Sequence, residues 1–403
     1  MAMLHFLASC VTLAVVLAAC SSDEANREGD DGTMTRPPAE TLTVDCLANG
    51  PCPEIRIGGD PPATLSDGRA SNVRGYAGPS LERDPATGAL WMAYSWPHVA
   101  VSEMGGVAVE SHLARSADGG ATWTFVRKLW TSFTLVDDLG RSGRMNQETV
   151  SLAVRESPSG SVWYSARHSY FSAGSPSVRS FTVRVATAIS PELLADADEA
   201  ILGGDLTQPF WKPDVNLASL SDDLRGCTFH DPGIIFHEGN LFLGVQCNLY
   251  TQSGESPERE FVALFVTDAQ GPARSWSWRY LGKLATREDA VELGGENLLQ
   301  TDLVKGRDGA LLAIFSPSAP ASPLASHFGC RVVEIESLDP PRLARDGSGK
   351  LRLRASVTAT DLLPRGPAAC TYDPASSTGV VIVRRILEGG QLIVSLHSTG
   401  IRP

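Results

Sequence analysis

The sequence predicts an all-β chain, a β-propeller of five or six blades, each a four-stranded antiparallel sheet. Three observations lead there. A glycine followed by an apolar, β-branched or aromatic run recurs at Gly88, Gly160, Gly239, Gly309 and Gly379, at spacings of about 70 residues. Each recurrence follows a shorter strand-like run (Pro79–Leu81, Thr149–Val154, Gly233–Phe236, Leu303–Val304, Cys370–Tyr372), so every unit opens on a hairpin. Helical periodicity is confined to the neighbourhood of Pro191 to Ala200. About 70 residues hold four strands with their turns, and that repeat length is the mark of sheets arranged around an axis.

The N-terminal residues speak to compartment rather than fold. His5 to Ala19 form an apolar run that is short for a bilayer span and closes on Leu17-Ala18-Ala19-Cys20. This close resembles the lipobox of bacterial lipoproteins, which implies acylation of Cys20, and Ser21 after it implies retention in the outer membrane. An ordinary secretory signal with a free Cys20 is the alternative. From Ser21 to about Asp45 the chain is polar and acidic, with Pro37-Pro38, and reads as a tether too poor in apolar residues to fold. The expected division is therefore a signal peptide at 1–19, a flexible tether at 20–45 and the propeller at 46–403, in an exported, lipid-anchored protein.

Composition narrows the partners. The 403 residues carry 34 Lys and Arg against 46 Asp and Glu, a net charge of −12 with no basic stripe, which argues against nucleic acid. Setting aside Cys10 and Cys20, the six remaining cysteines suit an oxidising compartment. The sequence does not choose among their pairings, but proximity favours Cys46–Cys52 and Cys227–Cys247, leaving Cys330–Cys370. No metal-ligand spacing, nucleotide loop or serine-hydrolase elbow occurs, so no metal and no cofactor is expected. A monomer binding carbohydrate or a glycoconjugate is.

Closing the ring is the last demand of this architecture. The final strand-like run, Gln391 to His397, can be completed by the N-terminal Glu54-Ile55-Arg56-Ile57, which would hide both edges.

Within the first unit, Ser116-Ala117-Asp118-Gly119-Gly120-Ala121-Thr122-Trp123 forms a Ser-x-Asp-x-Gly-x-Thr-Trp pattern between two strands. It resembles the Asp-box of sialidase-like propellers, and Thr267-Asp268-Ala269-Gln270-Gly271 with Trp276 and Trp278 resembles a worn copy. Such a box is a turn device, with side-chain oxygens accepting backbone N–H bonds and a tryptophan packed beneath. Tyr76-Ala77-Gly78-Pro79-Ser80-Leu81 resembles the opening of a sialidase first blade, although Ala77 stands where that family places a carboxylate-binding arginine. Arg74 and Arg56 lie nearby. Phe315-Ser316-Pro317 with Arg331 resembles the segment that brings another such arginine, and Gly366 to Tyr372 resembles the segment of the tyrosine nucleophile. The strict frame there falls on Cys370, two residues before Tyr372. The resemblance covers the organisation of most of residues 70–385. It implies an exo-α-sialidase-like glycoside hydrolase with Tyr372 catalytic and Arg74 and Arg331 substrate-binding.

Reading the residues alone gives another set. In a propeller the innermost strands begin at an axial funnel where ligands collect. Here those beginnings carry Asn146-Gln147-Glu148, His230-Asp231, Glu296-Asn297 and Thr301-Asp302. Converging carboxylates suit glycoside hydrolysis, which needs an acid and a base or nucleophile. Glu148, Asp231 and Asp302 are the catalytic candidates, with Asp231 and Asp302 expected to face one another from matched positions. His230 and Glu296 are substrate-binding candidates. Trp96 and Trp211 are expected as sugar platforms, and Trp91 and Trp163 as core. A non-catalytic glycan- or protein-binding surface propeller is the alternative, because propellers host many functions.

Overall fold

The five recurring glycines close their hairpins in the left-handed backbone region that side chains avoid. Gly88, Gly160, Gly239, Gly309 and Gly379 all have positive φ, between 65° and 117°. In this computed structural model, residues 41–46, 50–65, 67–99, 107–136, 140–158, 160–173, 178–204, 213–251, 254–255, 260–319, 326–358 and 368–403 are described. The expected signal peptide, Cys20, Trp211 and nearly all of the tether lie outside them. Each hairpin joins the first and second strands of one of five sheets. The first strands are Ala77–Arg83, Ser142–Ser157, Cys227–His237, Asn297–Lys305 and Ala368–Thr371, and they head blades I to V. Each packs against the next, and the fifth returns to the first, so the sheets surround a common axis. Of the two counts the sequence left open, five is the one observed.

The blades are antiparallel meanders with additions at their rims. In blade III, Cys227–His237, Asn240–Thr251, Phe261–Thr267 and Arg279–Ala285 follow in order. Blade V has only three strands from its own stretch, Ala368–Thr371, Val381–Glu388 and Gln391–Ser398, and Glu54–Ile55 supplies the fourth, pairing Glu54 with His397 and Ile55 with Leu396. The expected closure is thus observed, and it reaches further than expected. Ile57–Gly58 continues onto the outer strand of blade I, Ile57 beside Trp123, while Leu42–Asp45, expected within the tether, pairs with Leu353–Thr358 of blade IV. One N-terminal strap therefore crosses the rims of blades IV, V and I. Around Pro191 the helical signal is a short 3₁₀ helix, Pro191–Asp196, before a strand at Glu199–Gly203.

Five apolar clusters fill the five seams between blades, as the two-sided burial of facing sheets requires. Trp91 and Trp163 meet edge to face at 6.4 Å in the seam of blades I and II, core residues as expected. The three disulfides are the two that proximity favours, Cys46–Cys52 and Cys227–Cys247, and the pair left over, Cys330–Cys370. Two of them cross the seam of blades IV and V, one at the rim and one near the axis, and the third lies within blade III.

The Ser116–Trp123 segment is the turn its pattern describes. Gly120 N–H donates to Ser116 Oγ at 2.8 Å, Thr122 N–H to Asp118 Oδ1 at 2.9 Å, and the Trp123 indole N–H to Gly120 O at 3.1 Å. The copy in blade III keeps the last bond, with Trp276 Nε1–H donating to Gly271 O at 3.1 Å.

One feature of the axis has no signature in the hydrophobic pattern. Every first strand carries a β-bulge with a left-handed residue at the same level: Gly78, Thr149, Asp231, Gln300 and Ala369, with φ from 45° to 53°. Bulges re-aim side chains where strands end at a functional surface, and non-glycine residues in this region signal local constraint. The bulges also correct the matching of Asp231 with Asp302. The counterpart of Asp231 on blade IV is Gln300, and Asp302 lies two residues deeper, level with Gly233. The turns differ in length, with His237 pairing Asn240 in blade III and Lys305 pairing Leu311 in blade IV, so a hairpin count from the glycines misplaces the axial level.

Candidate active site at the mouth of the axis

Asp231 is the one acidic side chain among the five left-handed positions. Its carboxylate accepts the backbone N–H of Gln300 and the hydroxyl of Thr149, so blades II and IV both hold a group that belongs to blade III. Burial outweighs these bonds and pushes its pKa up to about 6. Glu148 immediately precedes the bulge of blade II and lies directly across the ladder from His168. The Nδ1 of His168 is 3.7 Å from Glu148 Oε1 and 3.8 Å from Asp231 Oδ1. The two carboxylate oxygens are therefore no further apart than those distances taken end to end. That limit spans the separation of about 5–5.5 Å used by retaining glycosidases and the lower part of the inverting range.

Aromatic rings hold this histidine. His168 stacks on Phe181 (centroids 5.4 Å, planes 24° apart), with Tyr170 at 5.2 Å and His230 at 5.1 Å. His230 rests 4.1 Å from Phe181, and its Nε2 is 2.9 Å from Thr228 Oγ1. The side chain of Asp231 is 15% exposed and that of Glu148 is 30% exposed, so the pair presents one more accessible carboxylate and one more sheltered carboxyl. Such an arrangement can deliver a proton from Asp231, which is protonated below neutral pH, beside a second carboxyl group.

Of the eight candidate residues, the structure brings together Glu148, Asp231 and His230. Glu296 is exposed at the head of blade IV, its N–H bonded to Ser318 O at 2.7 Å. Asp302 is buried below the mouth, where burial raises its pKa to about 7 against hydrogen bonds from Thr371, Leu303 and Ser151. Arg74 lies on the rim of blade V and donates to Ser71 O at 2.8 Å and Gln391 Oε1 at 2.6 Å. Arg331 turns its guanidinium onto the carbonyls of Phe328, Cys330 and Val357 at 3.2, 3.1 and 3.4 Å. Tyr372 is 1% exposed in the seam of blades IV and V, past the bulge and toward the turn end. Burial pushes its hydroxyl up to about 12, and the arginines whose charge it feels, Arg307 and Arg402, lie at that end. The arginine-and-tyrosine set is thus dispersed, because its members hang on rim strands and on the lower halves of strands.

Trp96 is unsuited to the platform role expected of it. His112 stacks on its ring at 5.0 Å, and the Lys128 ammonium lies 5.3 Å from its centroid.

Sequence reasoning missed His168, Phe181 and a second ionisable cluster. Asp60, next to the strap, receives His112 Nδ1 and the Tyr94 hydroxyl on Oδ2, each at 2.7 Å, and the Tyr76 hydroxyl on its carbonyl. Glu110 faces the other ring nitrogen of His112 at 3.4 Å and accepts from Lys128 at 2.7 Å. Desolvation is outweighed by both carboxylates, so His112 is raised, and Glu110 is lowered to about 2. With Asp60 and His112 buried and Lys128 half-exposed at its edge, this cluster ties the strap to blade I. Among the described residues no group of three or more His, Cys, Asp and Glu side chains is placed to hold a metal ion, and no helix is long and apolar enough to cross a membrane.

No protein-family model matches the chain, and no curated protein is similar to it in sequence. Solved structures do share its fold. An arabinanase of Bacillus subtilis, Arb43A, is 13% identical with a TM-score of 0.41, over 80% of this chain and 92% of that one. A family 32 glycoside hydrolase of Bifidobacterium adolescentis is 12% identical with a TM-score of 0.46, over 80% of this chain and 54% of that one, so the chain spans about half its length. An α-L-arabinofuranosidase of Fusarium graminearum, Arb93A, is 10% identical with a TM-score of 0.40, over 80% and 92%. What the chain has in common with these glycoside hydrolases is the propeller.

Proposed function

We propose that this chain is an exported, lipid-anchored, carbohydrate-active propeller whose axial mouth hydrolyses glycosidic bonds. The observation that carries the proposal is the sharing of His168 by Glu148 and Asp231. Asp231, with its pKa near 6, is the proton donor to the departing glycosidic oxygen. Glu148, the more exposed partner, is the nucleophile or the base that activates water. The glycoside hydrolases among the similar folds are in keeping with a carbohydrate substrate. The exo-α-sialidase form of the proposal draws on the Ser116–Trp123 turn, but Arg74, Arg331 and Tyr372 lie away from the mouth pair. The lipid anchor rests on Leu17–Cys20 alone.

The test is release of 4-methylumbelliferone from a panel of glycosides that includes arabinofuranosides, fructofuranosides and the sialic acid glycoside. Activity that disappears in Glu148→Gln and in Asp231→Asn is the expected result. Activity that survives both changes removes the mouth pair from the mechanism. Silence across the panel, with glycan binding retained, favours the non-catalytic surface propeller.

A further inference from the structure

Below the mouth, the side chains two residues past each left-handed position form a belt between blades. Ser80 Oγ accepts Leu152 N–H of blade II at 3.0 Å, Ser151 Oγ accepts Ile234 N–H of blade III at 2.9 Å, and Thr371 Oγ1 accepts Leu81 N–H of blade I at 3.0 Å. Blade III has Gly233 at this level, where a Cβ would lie 2.5 Å from Thr301 O and 2.8 Å from Asp302 Cα. Blade IV has Asp302, so the one ionisable member of the belt stands where three other blades place serine or threonine.

Asp302 does more than complete the belt. Its Oδ1 accepts Leu303 N–H at 3.1 Å and the Ser151 hydroxyl at 3.3 Å, and the carboxylate also receives the Thr371 hydroxyl. Segment 149–151 thus bonds Asp231 through Thr149 and Asp302 through Ser151. Segment 300–302 bonds Asp231 through the Gln300 N–H and carries Asp302 itself. Asp231, Thr149–Ser151, Asp302 and Gln300 close a ring of bonds across three blades. The ring borders a cavity of about 10 Å³, lined by Thr149, Ser151, Gln300, Thr301 and Asp302 among others, with room for one water.

We propose that Asp302 is a positioning residue: by holding Ser151 against its own segment it fixes both donors to Asp231, and so sets the height and protonation of the mouth carboxyl. It acts through Asp231 and does not touch substrate. The inference rests on the mouth pair proposed above, but its readout does not require turnover.

The experiment follows the titration of Asp231 by NMR in protein carrying ¹³C-carboxyl aspartate, with the signal assigned by its loss in Asp231→Asn. In Asp302→Ala the donors slacken, and the Asp231 midpoint rises by about half a pH unit or more, because both bonds favour the ionised form. Asp302→Asn still accepts from Ser151 and leaves the midpoint in place. Ser151→Ala, which breaks the ring while leaving both aspartates in the chain, reproduces the shift and serves if Asp302→Ala does not fold. An Asp231 midpoint unmoved in both Ser151→Ala and Asp302→Ala, or moved as far in Asp302→Asn, overturns the proposal. With an active glycoside in hand, Ser151→Ala also lowers kcat about tenfold at constant KM. Silence on every glycoside with the midpoint shift present would sink the glycosidase reading and leave Asp302 in this role.

Discussion

Two seams of the same ring are built from opposite materials. The seam of blades IV and V is covalent and apolar, with Cys46–Cys52 at the rim, Cys330–Cys370 near the axis, and Val332, Ile382 and Tyr372 between. The seam of blades II and III is equally well filled lower down, by Tyr164, Val183, Phe229 and Val245, yet its mouth collects Glu148, His168, His230 and Asp231 and no disulfide crosses it. Blade V lacks a strand of its own and must borrow Glu54–Ile55. The two cross-links stand where this borrowed strand and blade V meet blade IV. No cross-link is spent on the mouth of blades II and III, which instead carries groups whose burial costs stability.

The largest expected effect is on the open side of this contrast. Asp231→Asn and Glu148→Gln each lower kcat on the responsive glycoside by about 10²–10⁴-fold, the usual worth of a positioned acid or base. Neither lowers the melting temperature, and Asp231→Asn raises it at pH 8, where the wild-type carboxyl is ionised in a buried place. A melting temperature that falls with activity would make the mouth a structural seam like the other one.

On the closed side the same order of energy appears as stability. Replacing Cys330 and Cys370 together by alanine releases a loop of 40 residues, for which chain entropy gives about 4 kcal/mol. The urea midpoint falls accordingly, while glycoside turnover at low denaturant is unchanged. Loss of turnover in the folded double variant would show that the two seams are coupled.

How far the sequence reaches follows the same line. The blades, the glycine hairpins and the N-terminal strand of blade V are local or periodic and were legible from spacing, which also favoured Cys46–Cys52 and Cys227–Cys247 and left Cys330–Cys370 by remainder. Glu148, Asp231 and His230 were legible because they directly precede the apolar runs that lead into the glycine hairpins, although the strands themselves begin earlier, at Ser142 and Cys227. His168 was not. Counting back from the Ser157–Gly160 turn pairs Arg155 with Val162 and Val150 with Arg167, and the same count would put Ser169 opposite Glu148. The bulge at Thr149 moves the register by one and puts His168 there. The longer turn of blade IV hides in the same way that Gln300, not Asp302, stands at the level of Asp231. A bulge leaves no trace in hydrophobic alternation when both neighbours are buried, so the axial level has to be seen. Arg74, Arg331 and Tyr372 came from resemblance, and their places on the rim and the turn end depend on which strand edge each faces.

A smaller effect sharpens the contrast through pH. Asp231 and Asp302 both have folded pKa values above the ordinary carboxylate value, so the folded chain holds more protons than the unfolded chain up to about pH 7. Their contribution is present in full below the unfolded value, declines as pH rises through about 6 and 7, and is flat above. His112, also raised, loses its contribution on further increase of pH, whereas Glu110, depressed to about 2, loses its own as pH falls toward that value. The difference between wild type and Asp302→Asn isolates the axial carboxyl. The variant gains on the wild type by about 2 kcal/mol between pH 5 and 8, read from urea unfolding at each pH. A constant difference across that range would mean that Asp302 ionises in the fold as readily as in the unfolded chain.

The smallest effect tests the belt where neither disulfide nor site is near. Ser80→Ala removes the acceptor of Leu152 N–H between blades I and II, a seam already filled by Trp91, Trp163 and Leu152. A buried N–H left without its partner costs about 1–3 kcal/mol, and one that regains a water costs less, so a loss near 1 kcal/mol is expected. Hydrogen exchange at the Leu152 amide quickens while amides of blade IV keep their protection. If the whole ring instead exchanges faster, the belt bonds act cooperatively, and the mouth of blades II and III depends on seams it does not touch.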